Sequence, residues 1–446
     1  MAAQANVRTL TAEFVGTFLL VFTIGCNVLG KTPVWAGVSI ACMLMVAVYA
    51  LGGISGANFN PAVSFSIALS TSMNGPGKMS WKVCAMYCVT QIVAAILAAF
   101  CYCILFWNAF RLGPSKGFGV LSTGLCEAAY TFMLCFVVLN VAVAEKVKDN
   151  QWYGLAIGFV IVAGAYGAGV VSGGCFNPAV AIGIDVSSVG GWSIIYTFFE
   201  IFGATLAVIA FKVVRPAEFL LSQGEEASMP ARLVSEFLGT FMLVLTVGLN
   251  ILGNSPAGAF SIACALMCMI YAVGDVSGAH FNPAVTAAVF VSGLDEKLCS
   301  PRIVCYYMVV QILGGVLAAF TYTFIYFGNT FPLGPLPGAN WGHVFVAESL
   351  FTFLLCYVVL CTALADDTKS KQMFGLAIGS CVTVGGFAIG SISGGSLNPA
   401  VSFGIAASQI LNGGLFYKAL LYSLFEFVGA GAAAGLLRVT HGPLKK

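Results

Sequence analysis

Long apolar runs broken by short polar turns dominate the chain, and their lengths set the first expectation. A helix rises about 1.5 Å per residue, so about 20 apolar residues cross a bilayer core about 30 Å thick. Runs of that length are predicted near 9–30, 34–52, 82–107, 118–144, 152–171 and 189–212, then near 231–253, 257–274, 302–327, 342–364, 373–391 and 415–437, which makes twelve crossings. Four shorter apolar stretches, near 60–69, 177–186, 282–291 and 398–407, span only half a bilayer, and each opens on Asn-Pro-Ala after a Ser-Gly pair. Pro fits the first helical position and Asn holds a turn just ahead of it, so each stretch reads as a capped half-helix. In lipid such interrupted backbone survives only inside protein or beside an aqueous cavity.

The four turns are spaced as a repeat. Asn60 and Asn282 are 222 residues apart, and Asn177 and Asn398 are 221 apart. The segment Ala12-Glu13-Phe14-Val15-Gly16-Thr17-Phe18 is answered by Ser235-Glu236-Phe237-Leu238-Gly239-Thr240-Phe241, and Phe199-Glu200-Ile201-Phe202-Gly203-Ala204 by Phe425-Glu426-Phe427-Val428-Gly429-Ala430. A weaker repeat divides each unit, because Glu127 and Glu348 also sit early in long apolar runs that precede their own Asn-Pro-Ala. Repeats within repeats point to paired, inverted halves. The expected domains are a first unit at 1–212, a polar cytoplasmic linker at 213–230 containing Pro216, Gly224, Glu225, Glu226 and Pro230, and a second unit at 231–446. Six crossings return the chain to its starting side, so both units share one orientation. The fold class expected is an all-α polytopic membrane protein, duplicated in tandem, with twelve transmembrane helices and four re-entrant half-helices.

Composition narrows the function. Hydrophobic residues make up 59% of the chain and charged residues 8%, far from the balance of soluble domains. A net charge of +2 without a basic patch offers nothing to nucleic acid. The 16 cysteines lie mostly within apolar runs, as at Cys84 and Cys88 or Cys264 and Cys268, where helical spacing reads as packing rather than disulfides. The three histidines, His280, His343 and His441, form no ligand cluster, and no nucleophile–base pair is visible, so neither metal, cofactor nor enzyme is expected. With the N-terminus inside, 15 of the 19 basic residues fall on the inner side, which predicts cytoplasmic termini. The first run reads as retained rather than as a cleaved signal. Plasma membrane is the default location, an organelle membrane the alternative. Gly16, Gly203, Gly239 and Gly429 are expected to allow close helix packing.

The motif contexts are specific: Ser-Gly-Ala-Asn-Phe-Asn-Pro-Ala-Val at 55–63, Ser-Gly-Gly-Cys-Phe-Asn-Pro-Ala-Val at 172–180, Ser-Gly-Ala-His-Phe-Asn-Pro-Ala-Val at 277–285 and Ser-Gly-Gly-Ser-Leu-Asn-Pro-Ala-Val at 393–401. Over residues 8–437 the sequence resembles the aquaporin and aquaglyceroporin family, the major intrinsic proteins, as two complete members fused head to tail. The resemblance implies one pore per unit in a lipid bilayer, passing water and small neutral solutes of glycerol or urea size. Asn60 and Asn177 would meet at the first midplane and Asn282 and Asn398 at the second, where paired helix N-termini repel cations and reorient water. Glu13, Glu127, Glu236 and Glu348 match buried glutamates that accept hydrogen bonds from the re-entrant loops. Family members assemble as tetramers, so two fused chains would form a homodimeric four-pore ring.

The chain departs from the family at the constriction. Val180 and Val401 stand where an Arg is usual, and Ala181 and Ser402 where glycerol-conducting members carry Asp. By offset from the motifs, the constriction positions are Ile40, Ala165, Gly174 and Val180 in the first unit and Ile262, Gly386, Gly395 and Val401 in the second. Small and aliphatic side chains there predict a wide constriction without fixed positive charge, or an apolar ring that dewets and closes. Cys175 is a candidate thiol handle near the outer mouth, matched by Ser396, and His280 a candidate pH-sensitive group on the inner side. The alternative function is a non-conducting or weakly conducting structural subunit of a membrane assembly. A coupled transporter fits less well, since no ion-coupling carboxylate flanks the broken helices.

Overall fold

Each Ser-Gly pair that precedes an Asn-Pro-Ala turn ends a long helix. In the computed structural model, which describes residues 5–219, 227–295 and 300–441, helices α2 (Ala36–Ser55), α6 (Tyr153–Ser172), α10 (Gly258–Ser277) and α14 (Phe374–Ser393) all stop at that Ser. The Gly that follows takes a left-handed φ of 85° to 91°, which caps the helix and which a side chain would disfavour. A few residues later Asn60, Asn177, Asn282 and Asn398 open the short helices α3 (Pro61–Ser72), α7 (Pro178–Ser188), α11 (Pro283–Ser292) and α15 (Pro399–Gln409). In each, the Asn side-chain oxygen accepts the N–H two residues on, and Pro occupies the first turn. These helices have 12, 11, 10 and 11 residues, so three are a residue or two longer than the apolar pattern predicted and α11 matches it in length. In α3 the polar tail stays helical because Thr71 and Ser72 donate back to the carbonyls of Ile67 and Leu69, at 2.9 and 2.8 Å.

The remaining long helices are α1 (Val7–Leu29), α4 (Trp81–Phe106), α5 (Val120–Val138), α8 (Ser193–Val214), α9 (Met229–Leu252), α12 (Pro301–Ile325), α13 (Trp341–Val359) and α16 (Tyr417–Thr440). With α2, α6, α10 and α14 they give, among the described residues, 12 helices long and apolar enough to cross a membrane. Helices α5 and α13 each continue through one wide turn, Leu139–Val143 and Leu360–Leu364. The chain divides into two compact units, Met1–Ala227 and Ser228–Lys446. Helix α8 runs to Val214 and α9 starts at Met229, so helix occupies both ends of the stretch expected as linker. Gly224, Glu225 and Glu226 lie outside the described residues.

Within the first unit α1 packs on α2 and α4, α5 on α6 and α8, and α2 meets α6 across the middle. The short helices cross between these halves: α3 packs on α8 and α7 on α4. The second unit repeats the plan, with α11 on α16 and α15 on α12. Helix α4 shows how the sequence sorts its faces. Val89, Val93, Leu97, Phe100 and Ile104 form an exposed stripe, while Gln91, Ala94, Ala95, Ala98 and Ala99 are fully buried. The large apolar side chains face outward toward lipid, and small or polar ones face inward, where close packing and hydrogen bonds hold helices together.

Candidate functional site

Six buried carboxylates hold the turns around Asn-Pro-Ala. Glu13 accepts the backbone N–H of Asn58 and Phe59, at 3.0 and 2.8 Å, together with Ser55 Oγ at 2.6 Å and Gln91 Nε2 at 2.8 Å. Glu236 repeats this set with His280 N, Phe281 N, Ser277 Oγ and Gln311 Nε2, at 3.0, 2.8, 2.6 and 2.8 Å. Glu127 accepts Cys175 N and Phe176 N, at 3.1 and 2.7 Å, and Glu348 accepts Ser396 N and Leu397 N, at 3.1 and 2.9 Å. Two further carboxylates were not singled out from the sequence: Glu200 accepts Asn177 N at 2.8 Å and Glu426 accepts Asn398 N at 2.9 Å. Their signal was present in the repeated Phe-Glu pairs at 199–200 and 425–426. These bonds fasten a costly backbone, since Phe59, Phe176, Phe281 and Leu397 all have φ between 50° and 54°, where bulky residues are strained.

The two turns of each unit then lock to one another. Asn60 Nδ2 donates to Phe176 O at 2.8 Å and Asn177 Nδ2 to Phe59 O at 2.9 Å. Asn282 and Asn398 make the same exchange with Leu397 O and Phe281 O, at 2.8 and 2.9 Å. An amide nitrogen carries two hydrogens, so each of these bonds leaves one N–H of that Asn to offer elsewhere.

A cavity of 640 Å³ runs beside this junction in the first unit, lined by both Asn60 and Asn177. One wall is a stripe of α2, Gly37, Ile40, Leu44, Val48 and Gly52, and the facing wall a stripe of α6, Tyr153, Ile157, Ile161 and Ala165. The helical spacing of these positions puts each set on one face. From Gly37 to Gly52 the wall is about 22 Å long at the rise of an α-helix. Ile40, Ala165, Gly174 and Val180 all line the cavity. Tyr166 and the loop residues Phe110 and Arg111, which sequence reasoning missed, line it as well. Gly174 has a left-handed φ of 69°, which favours glycine, and a methyl group placed there would lie 3.4 Å from the Ala165 Cα, so the loop lies in contact with α6. In the second unit Gly395 bears the same relation to Gly386, also at 3.4 Å, while Ile262 sits on α10 and Val401, 4% exposed, in the first turn of α15.

The two candidate handles are both largely buried. Cys175 lines the first-unit cavity, and its thiol donates to Asn177 O at 3.3 Å. His280 is buried too, with Nδ1 3.1 Å from Thr286 Oγ1 and its ring edge-on to Tyr307. It belongs to the packed support of the turn rather than to an open vestibule.

The Major intrinsic protein family matches residues 1–211, 118–254 and 232–437. Aquaporin NIP1-1 of Zea mays is 34% identical over 228 residues, which is 48% of this chain and 77% of that protein. Nodulin-26 of Glycine max is 33% identical over 227 residues, again 48% of this chain and 80% of that protein. The aquaglyceroporin of Plasmodium falciparum, known from an X-ray structure, is 21% identical, with 47% of this chain and 96% of that one covered and a TM-score of 0.42. Matches to nearly the whole length of both units, each around its own pair of Asn-Pro-Ala turns, establish that the chain belongs to the major intrinsic protein family.

Proposed function

We propose that each unit is a passive channel for water and small uncharged solutes of glycerol or urea size. The observation that carries this reading is the first-unit cavity, which extends along α2 and α6 and has both motif asparagines in its wall. The short helices act as re-entrant halves that meet at the membrane midplane. Their N-termini together contribute about one elementary positive charge there. The spare N–H of each asparagine offers a donor to a passing oxygen, and the apolar stripes give it nothing to bind tightly. Glu13, Glu127, Glu236 and Glu348 serve the loops, not the solute, because their oxygens are already engaged with backbone N–H groups.

The constriction of the first unit consists of Ile40, Ala165, Gly174 and Val180, and that of the second of Ile262, Gly386, Gly395 and Val401. With no Arg, aromatic or His at these positions, the limit on neutral solutes is set by diameter alone, which admits solutes larger than water. The two channel units, joined by a cytoplasmic linker, keep their termini in the cytoplasm, and two chains form a ring of four pores. One observation favours a structural subunit instead: Val180 is 2% exposed within an apolar cluster, the surroundings of a dewetted, closed ring. Stopped-flow swelling of proteoliposomes under sucrose, glycerol and urea gradients separates the two. Rapid shrinkage followed by re-swelling in glycerol and urea supports wide channels. Rates equal to those of empty vesicles for all three solutes support the structural subunit.

A further inference from the structure

The loop joining α4 to α5 brings a charge to the cavity wall that the constriction itself lacks. Phe110 stacks on Tyr102 with ring centroids 5.5 Å apart, and Leu112 is buried in the apolar cluster that contains Val180 and Ile184. Farther along, Ser115 N–H donates to Val171 O at the end of α6, at 3.0 Å. Arg111 lies between the two anchored residues and lines the same cavity as Val180 and Gly174, while remaining exposed.

The second unit builds the same loop with one change. Phe331 stacks on Tyr322 at 5.6 Å, Leu333 is buried, and Leu336 N–H donates to Ile392 O at 3.0 Å. The matched segments are Phe110-Arg111-Leu112-Gly113-Pro114 and Phe331-Pro332-Leu333-Gly334-Pro335, so Pro332 stands in the place of Arg111. An amine does approach this second loop, since a methyl on Gly334 would lie 3.4 Å from Lys418 Nζ. The matched Gly113 meets Trp192 instead and is not among the residues lining the first cavity, so Lys418 approaches the loop at a glycine whose first-unit match lies off the cavity wall.

We propose that Arg111 supplies, from the loop, the fixed positive charge that Val180 omits, so that the first channel excludes cations at its mouth and the second does not. The proposal rests on the channel reading above. A guanidinium stays charged at every physiological pH, and anchored neighbours on both sides keep it at the path. A unit charge a few ångströms away lowers the local occupancy of a cation by on the order of tenfold, and leaves neutral solutes unaffected. The two units would thus share neutral traffic and differ in ion leak.

The test uses the full chain in proteoliposomes, reading osmotic water flux and potassium leak on the same vesicles for wild type, Arg111→Gln, Arg111→Lys and Lys418→Gln. With one leaky route rising to two, Arg111→Gln is expected to raise the potassium leak about twofold relative to the water flux of the same vesicles, with Arg111→Lys and Lys418→Gln at the wild-type ratio. Wild-type leak in Arg111→Gln at normal water flux overturns the proposal and leaves the channel reading standing. An equal rise in Lys418→Gln overturns it too. Loss of water flux in every protein, wild type included, overturns the channel reading and the proposal together.

Discussion

Replacing Glu13 with Ala is the sharpest test of how the turns are held. Glu13 is 0% exposed, and its two oxygens accept four hydrogen bonds. Two of the four donors have other recourse: the Ser55 hydroxyl rotates, and Gln91 Nε2 keeps Ser64 Oγ at 3.0 Å. The N–H groups of Asn58 and Phe59 have none, because the turn that carries them is fixed by Asn60 on one side and Gly56 on the other. A buried donor left without a partner costs about 1–3 kcal/mol, so the pair costs about 2–6 kcal/mol. Relief of carboxylate desolvation offsets part of this and places the net loss in the lower half of that range. That is still a large share of the roughly 5–15 kcal/mol that stabilises a typical domain. Phe59, at φ 52°, then loses the bond that holds its strained backbone. Thermal unfolding in detergent of wild type, Glu13→Gln, Glu13→Ala and Glu236→Ala is expected to rank the midpoints in that order, with the two alanine variants close together. Their closeness follows from the matching bond set of Glu236. A Glu13→Ala midpoint equal to that of wild type refutes the reasoning.

Other expectations follow from close approaches and from the constriction. A methyl on Gly16 would lie 2.1 Å from the Phe59 ring, so Gly16→Ala should displace the first turn and remove about half of the total water flux, read by stopped-flow scattering. Gly239→Ala should do the same to the second unit, where the Phe281 ring is 2.1 Å away. Val180→Arg should narrow the first cavity and slow glycerol and urea re-swelling more than water efflux, and adding Val401→Arg should deepen that difference.

Much of the fold was legible because lipid imposes simple rules. Crossing length reads directly from apolar runs, and the spans differ from the helices by only a few residues. The Ser-Gly and Asn-Pro pairs carry their own stop and start signals, which the left-handed glycines and the asparagine caps obey. The weakest readings fell where packing overrides local chemistry. Ser70, Thr71 and Ser72 look like a helix end but are helical, two of them back-bonded to the turn before. His280 looks like a titrating mouth residue but is packed against Tyr307. Phe110 and Arg111 belong to an irregular loop with no periodicity, and only the folded chain brings that loop to the cavity. The repeat of Phe, Leu, Gly and Pro at 331–335 was the one sequence sign that the loop is built rather than variable.

The central claim is that each unit carries its own water route, and plugging the routes one at a time tests it most directly. Ala165 lines the first cavity, and Ile262 is the second-unit match of Ile40, which lines that cavity from the facing wall. In proteoliposomes, osmotic water permeability is expected to stand well above that of empty vesicles for wild type, to fall by about half in Ala165→Trp, and to reach the empty-vesicle level in Ala165→Trp/Ile262→Trp. Wild-type permeability at the empty-vesicle level, or full permeability in the doubly plugged protein, would contradict the account.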